Sequence, residues 1–241
     1  MSGSATDTEL AQIVSGPPIT TIAEAVALMR RIDTLLPGSD GLKWFNRLYM
    51  LVTQQVESSP PLGGWKDAAW LTRLDVIFAG LYFAAISQWS TNPAQTPSSW
   101  KALFETRSSP GIERIQFALA GMNAHINHDL ALALLQTDAE LHLVPGTTSR
   151  QHDDFERVNE LLEAALPEAL QFLATGILGE LAQDTGRIGR LLAIWNVRAA
   201  RELAWDVADH LRSLTGAART KALMLHDQIT GVVGHSLLQP I

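Results

Sequence analysis

The sequence predicts an all-α protein, and three observations predict it. Apolar residues recur with a helical period of 3.6 along the chain, and no stretch alternates convincingly as a strand would. Hydrophobic residues make up 46% and charged residues 18% of 241 positions, so the chain can bury a large core and is not disordered. Proline and glycine fall between the periodic stretches rather than inside most of them. Together they imply helices packed on helices: a single-domain multi-helix bundle of roughly eight helices around a buried polar helix. The length suits one domain over 1–241, with residues 1–19 expected as a loose N-terminal arm.

The elements follow in order. Thr20 to Leu36 places Ile22, Ala25, Leu28, Met29 and Ile32 on one side, and Pro37-Gly38 stops it. Gly41 to Gln55 carries Trp44, Phe45, Leu48, Tyr49 and Leu51. Ser58 to Gly64 has the composition of a loop, and Lys66 to Trp89 then reads as a long helix. After a loop at Pro93 to Ser99, a short helix spans Trp100 to Thr106. Pro110-Gly111 precedes a long helix that reaches Leu135. Gln151 to Leu173 follows, with a kink expected at Pro167. Ile177 to Leu214 reads as helical with a break near Gly186 and Gly189, and Ala217 to Leu238 is the last helix.

Composition excludes several functions. Eighteen basic against twenty-five acidic residues give a net charge of -7, which argues against a general nucleic-acid binder. There is no cysteine, so disulfides, thiolate nucleophiles and cysteine-ligated metal centres are excluded. The N-terminus lacks the basic and apolar regions of a secretory signal. The longest uncharged apolar run, Val76 to Ile86, is shorter than the ~20 residues a membrane span requires. A cytoplasmic location without a membrane span is the expectation. The nucleophile elbow, the H-E-x-x-H zinc motif, the P-loop and the dinucleotide fingerprint are all absent.

One helix carries chemical information. Between the apolar stretches Phe117–Met122 and Leu130–Leu135, five of seven positions are polar: Asn123, His125, Asn127, His128 and Asp129. A helix apolar all round is normally buried, and buried polar groups cost about 1–3 kcal/mol each unless satisfied. His125, His128 and Asp129 stand at i, i+3 and i+4 and so share one face. Two imidazoles and a carboxylate there could ligate a divalent cation such as zinc, iron or magnesium. They could equally be a hydrogen-bond network that pins the helix, or His125 could be a general base oriented by Asp129. Asn123 and Asn127 form a second i, i+4 pair, turned away from His125 and available either to structure or to a substrate.

Other segments supply candidate completing groups. Asp75 heads the apolar run of its helix, as a metal ligand or as the buried partner of an arginine such as Arg198; Tyr82 lies seven residues on, roughly on the same face. Asp154 opens the helix whose apolar positions include Phe155, Val158, Leu161 and Leu162. Asp153 with Glu156 resembles a capping box, and Asp153-Asp154 followed by Glu156 faintly matches acidic magnesium-diphosphate motifs. Trp195, Arg198, Glu202 and Trp205 form a helical stripe that could wall a substrate pocket or clamp an anion.

The segment Gly121-Met122-Asn123-Ala124-His125-Ile126-Asn127-His128-Asp129-Leu130 resembles the signature of a bacterial domain-of-unknown-function family, number 5995. Asp75 through Leu81-Tyr82-Phe83, Asp154-Phe155 to Val158-Asn159, and Arg198 with Ala204-Trp205 are compatible with it, over about residues 40 to 215. The resemblance implies a fold and a site but no reaction. The His-x-x-x-Asp spacing is also similar to helical zinc phospholipase C and S1-type nuclease enzymes, although their full histidine set and N-terminal tryptophan are not found here.

The functional expectation is a metal-dependent enzyme acting hydrolytically or as a lyase on a small hydrophobic or phosphorylated substrate. His125 and Asp129 would be catalytic. Asp75, His125, His128, Asp129 and Asp154 would be the candidate ligands. Tyr82, Asn123, Asn127, Trp195, Arg198 and Trp205 would line the substrate site. Two alternatives remain: a helical cyclase of prenyl-derived or other hydrophobic substrates, and a non-catalytic scaffold whose polar core is structural.

Overall fold

A computed structural model describes residues 5–173 and 196–240. The fold is all-α, with no strand among the described residues. Its helices are α1 (Ala5–Val14), α2 (Ile22–Leu35), α3 (Gly41–Ser58), α4 (Ala68–Thr91), α5 (Ser98–Thr106), α6 (Arg114–Ala124), α7 (Leu130–Leu141), α8 (Arg150–Leu173), α9 (Val197–Ser213) and α10 (Gly216–Leu237). A 3-10 turn at Pro93–Gln95 leads into α5, and a π-helical turn at His125–Asp129 joins α6 to α7.

Helix starts follow capping chemistry. Thr21 and Glu24 form a reciprocal capping box before α2, and Asp40 accepts the Leu42 amide at 3.0 Å before α3. The N-terminal segment departs from the expected loose arm. Residues 5–14 form a helix because Leu10 is fully buried and Asp7 pairs with Arg107 at 3.2 Å. Pro167 lies inside α8. The expected break near Gly186 and Gly189 and the Trp195 position lie outside the described residues.

The rod made of α6, the π turn and α7 is the axis of the bundle. It packs against α3, α4, α5, α9 and α10, so nearly every residue from Ile115 to Leu134 is buried. α4 has the length and hydropathy of a membrane-crossing helix, yet 61% of its most apolar window is buried against the bundle, as in a core helix. Two glycines permit close helix approach. A Cβ at Gly121 of α6 would lie 2.3 Å from the Phe45 ring of α3, and one at Gly41 would lie 2.3 Å from Phe117. Gly121 therefore lets the Phe45 ring settle on the rod one turn before His125.

Candidate functional site

The polar run of the central helix is buried, as its apolar flanks require. Asn123, His125 and Asp129 are at most 2% exposed and His128 is 7% exposed. The backbone there is not α-helical. The Leu130 amide reaches back five residues to the His125 carbonyl, the widened turn that tends to mark functional positions within helices.

Asp129 is the hub of this turn. Its Oδ2 receives His125 Nδ1 at 3.0 Å and Trp100 Nε1 at 2.9 Å, and its Oδ1 receives His128 Nδ1 at 2.9 Å. Burial alone would raise its carboxyl, but the hydrogen bonds from His125 and His128 outweigh burial and hold it below the ordinary carboxylate range. An ionised carboxylate only accepts, so both imidazoles carry a proton on Nδ1. The two rings then diverge. His128 extends towards Asp227 of α10, with Nε2 at 3.6 Å from the carboxylate. Burial lowers its pKa, but Asp129 and Asp227 overcome this and raise it. Asp227 in turn accepts the Ser98 and Ser99 amides at 2.7 and 2.9 Å and so caps α5.

His125 points into an aromatic cage. Phe78 stacks on it with ring centres 3.6 Å apart and planes 6° from parallel, and Tyr49 stands edge-on at 4.4 Å. Burial holds the imidazole neutral, below its ordinary pKa and against the pull of Asp129. Its Nε2 is buried with no hydrogen-bond partner among the described residues.

His125 lines a largely enclosed cavity of about 50 Å3, and so do Asp75 of α4 and Arg201 of α9. The remaining wall is mostly apolar, including Val56, Leu71, Phe78, Met122 and Leu162. Asp75 Oδ2 is buried and has no hydrogen-bond partner among the described residues. Burial, against the charge of Arg201, pushes its carboxyl up to about 7. Arg201 donates from Nη2 to the Phe155 carbonyl at 2.7 Å, and its guanidinium lies 4.1 Å from the Phe155 ring centre. Burial brings Arg201 down to about 10, against the charges of Asp75, Glu156 and Glu202. A second, more open groove of about 370 Å3 runs past Thr21, Pro60 and Trp65, and shares Val56, Leu71 and Asp75 with the inner cavity.

The structure brings His125 and Asp129 together as the spacing predicts, and it adds Asp75 to the same cavity. It does not assemble the five expected ligands around one point. Both Asp129 oxygens are taken by N–H donors. Asp154 accepts the Lys66 and Asp67 amides at 2.9 and 2.6 Å and so anchors the chain entering α4. Asp153 pairs with the Lys66 ammonium, so the acidic pair secures a loop instead of presenting a diphosphate site.

The expected substrate contacts are also redistributed. Tyr82 donates to Asn46 Oδ1 at 3.2 Å within the core, and Tyr49 lines the cavity instead. Asn127 donates to Asn123, which donates to the Thr230 carbonyl at 2.9 Å, so both tie the rod to α10. His226, which looks isolated in the sequence, contacts the Asn127 carbonyl through Nε2. Trp205 packs in the core against Phe155 and His152. Arg198 is half exposed and reaches Glu156 and Glu163 at 3.4 and 3.5 Å. Burial and the neighbouring Glu202 carboxyl push Glu156 up.

Sequence reasoning missed Arg201. The signal was present: Arg201 stands at i, i+3, i+4 and i+7 spacing with Ala204, Trp205 and Ala208, the buried stripe of α9. A stripe started from Trp195 selects Arg198 instead.

The sequence model of a family of unknown function, DUF5995, matches residues 22–240. The chain belongs to that family. The DUF5995 match extends beyond the 40–215 stretch that carries the resemblance and takes in α2 to α10, hence the whole cavity and the α10 residues that contact the π turn. No curated protein and no solved structure matches the chain.

Proposed function

We propose that this DUF5995 chain is an enzyme that transfers protons on a small, largely apolar substrate, with His125 as general base and Asp75 as its acid partner. One observation carries the reading. Two buried titratable atoms without partners among the described residues, His125 Nε2 and Asp75 Oδ2, belong to residues lining the same cavity. Each costs about 1–3 kcal/mol as an unsatisfied buried group, a cost that a substrate or its water would offset.

The roles follow from the electrostatics. Asp129 fixes the His125 tautomer, so Nε2 is the nitrogen left with a free lone pair. Burial keeps that imidazole neutral and able to accept a proton. Asp75, with its carboxyl near 7, is part protonated at neutral pH and can return one. Arg201 offers a buried positive charge for a carboxylate, an enolate or a phosphoryl oxygen that gains charge during reaction. The inner cavity has room for about four waters, so a substrate needs more space than it offers. Val56 and Leu71 separate it from the larger groove, and their displacement would open a path past Asp75.

A second reading places a divalent ion between His125 Nε2 and Asp75, where it would activate water for hydrolysis. The same two unpartnered atoms favour it, while His128, Asp129 and Asp154 already have partners.

The test is a series of small ketones and p-nitrophenyl esters in D2O, followed by NMR and absorbance, with and without added Zn2+ or Mg2+. The expectation is α-hydrogen exchange or ester cleavage above buffer. His125→Gln should reduce it by about 10²–10⁴-fold, the usual contribution of a positioned base. Neither reaction above buffer, together with equal binding of the series by wild type and His125→Gln, would overturn the proposal.

A further inference from the structure

We propose that His152, Glu156 and Glu202 form a binding site for a divalent transition-metal cation, Zn2+ ahead of Mn2+, outside the inner cavity. His152 and Glu156 stand at i, i+4 on α8 and so share a face, and Glu202 comes from α9. One ligand atom from each lies within 4.8 Å of the others. Bonds of about 2.0–2.2 Å to zinc place tetrahedral ligands roughly 3.3 Å apart, so side-chain rotations suffice to close the set.

An independent observation points to a ligand here. His152 Nε2 is shielded from solvent and has no hydrogen-bond partner among the described residues. The ring is held in place, with Trp205 edge-on at 4.6 Å and Phe155 at 6.3 Å. An imidazole held by packing, with a ring nitrogen within reach of two carboxylates, is organised in advance for a cation. Besides the Glu202 carboxyl, which a cation would bring into the same shell, the competing contacts on Glu156 are long. Arg198 Nη1 reaches its Oε2 at 3.4 Å and Asn159 Nδ2 its Oε1 at 3.3 Å. Arg198 is half exposed and also contacts Glu163, so it can leave Glu156 without leaving a buried charge behind.

One nitrogen and two carboxylate oxygens select the metal class. Imidazole suits zinc and its neighbours, whereas Mg2+ and Ca2+ prefer all-oxygen shells. Three protein ligands leave a coordination position for water. The site therefore moves the expected metal away from the π turn and onto the α8–α9 pair.

The experiment is isothermal titration of chelator-stripped full-length protein with Zn2+, Mn2+ and Mg2+, together with melting curves. Wild type should bind one Zn2+ per chain, with Mn2+ weaker and Mg2+ weaker still. Glu202→Gln and His152→Ala should each weaken Zn2+ on the order of 100-fold, at least what loss of an outer-shell partner costs. His125→Gln and Asp75→Asn should leave the Zn2+ affinity of the His152 site unchanged, which separates it from the inner cavity. Should His152→Ala fail to fold, Glu202→Gln and Mn2+ broadening of the His152 ring signals in wild type decide the matter. The proposal is overturned by wild-type Zn2+ binding no tighter than about 1 mM, only ~4 kcal/mol. It is equally overturned by Zn2+ binding that Glu202→Gln leaves intact, or by Mn2+ broadening that spares His152.

Discussion

Replacing Asp75 with Asn should stabilise the fold at alkaline pH and do so much less in mild acid. Its carboxyl titrates at about 7 in the folded chain against an ordinary 3.8. Between those values the folded state keeps a proton that the unfolded state has released, so stability falls as pH rises through the interval. Each unit is worth about 1.4 kcal/mol, and roughly three units set a ceiling near 4 kcal/mol. The attraction of Arg201 is already contained in the value of about 7 and makes no separate deduction. The expected gain is about 2–4 kcal/mol at pH near 8 and about 1 kcal/mol at pH near 4.5, where the folded carboxyl is neutral but the unfolded one is already mostly ionised. Urea denaturation of both proteins at the two pH values measures this, and every other titrating group cancels in the difference. A variant less stable than wild type by the same amount at both pH values would refute the reasoning.

Other consequences can be checked with the same melts. Asp129→Ala strips the acceptor from His125, His128 and Trp100 at once. It should cost about 3–5 kcal/mol, as for one partner of a buried charged network, and a denaturation midpoint near wild type would contradict the hub. Gly121→Ala puts a Cβ at 2.3 Å from the Phe45 ring and should cost about 1–3 kcal/mol. Adding Phe45→Leu should recover part of that loss, whereas additive losses would mean the contact does not limit packing. His128 has a pKa raised by Asp129 and Asp227, so its pairing is fully present below the unfolded value of about 6.5 and fades as pH climbs through the folded value. His128→Gln should therefore lose most stability relative to wild type at pH near 6 and progressively less in alkali; the reverse trend would remove the clamp.

Much of the fold was legible because helix period and turn residues are local properties. The polar run of the central helix stood out for the same reason: Asn123 to Asp129 interrupts a helix apolar on every side. The pairing of His125 with Asp129 followed from their spacing. What surrounds them did not, because Trp100, Asp227, Phe78 and Arg201 arrive from distant helices, and no spacing rule links them to residue 129. Asp154 misled for a related reason. An acid at the head of a helix caps another segment as readily as it binds a metal, and the choice depends on where residues 66 and 67 pass. The N-terminal helix was missed because Leu10 acquires its burial only from the assembled bundle.

The widened turn at residues 125–129 has a further meaning for how this chain can vary. Such a turn holds one residue more than the α-helical path would need. Deleting Ile126 or Asn127 would let the rod close into a regular helix, with better local bonding than it has now. The helix after the deletion would keep its phase, because the bulge is what absorbs the extra residue, but His125 and Asp129 would change from i, i+4 to i, i+3 and their hydrogen bond would have to be remade. The wide turn thus sets the spacing of the acid and its bases without moving the helix that follows.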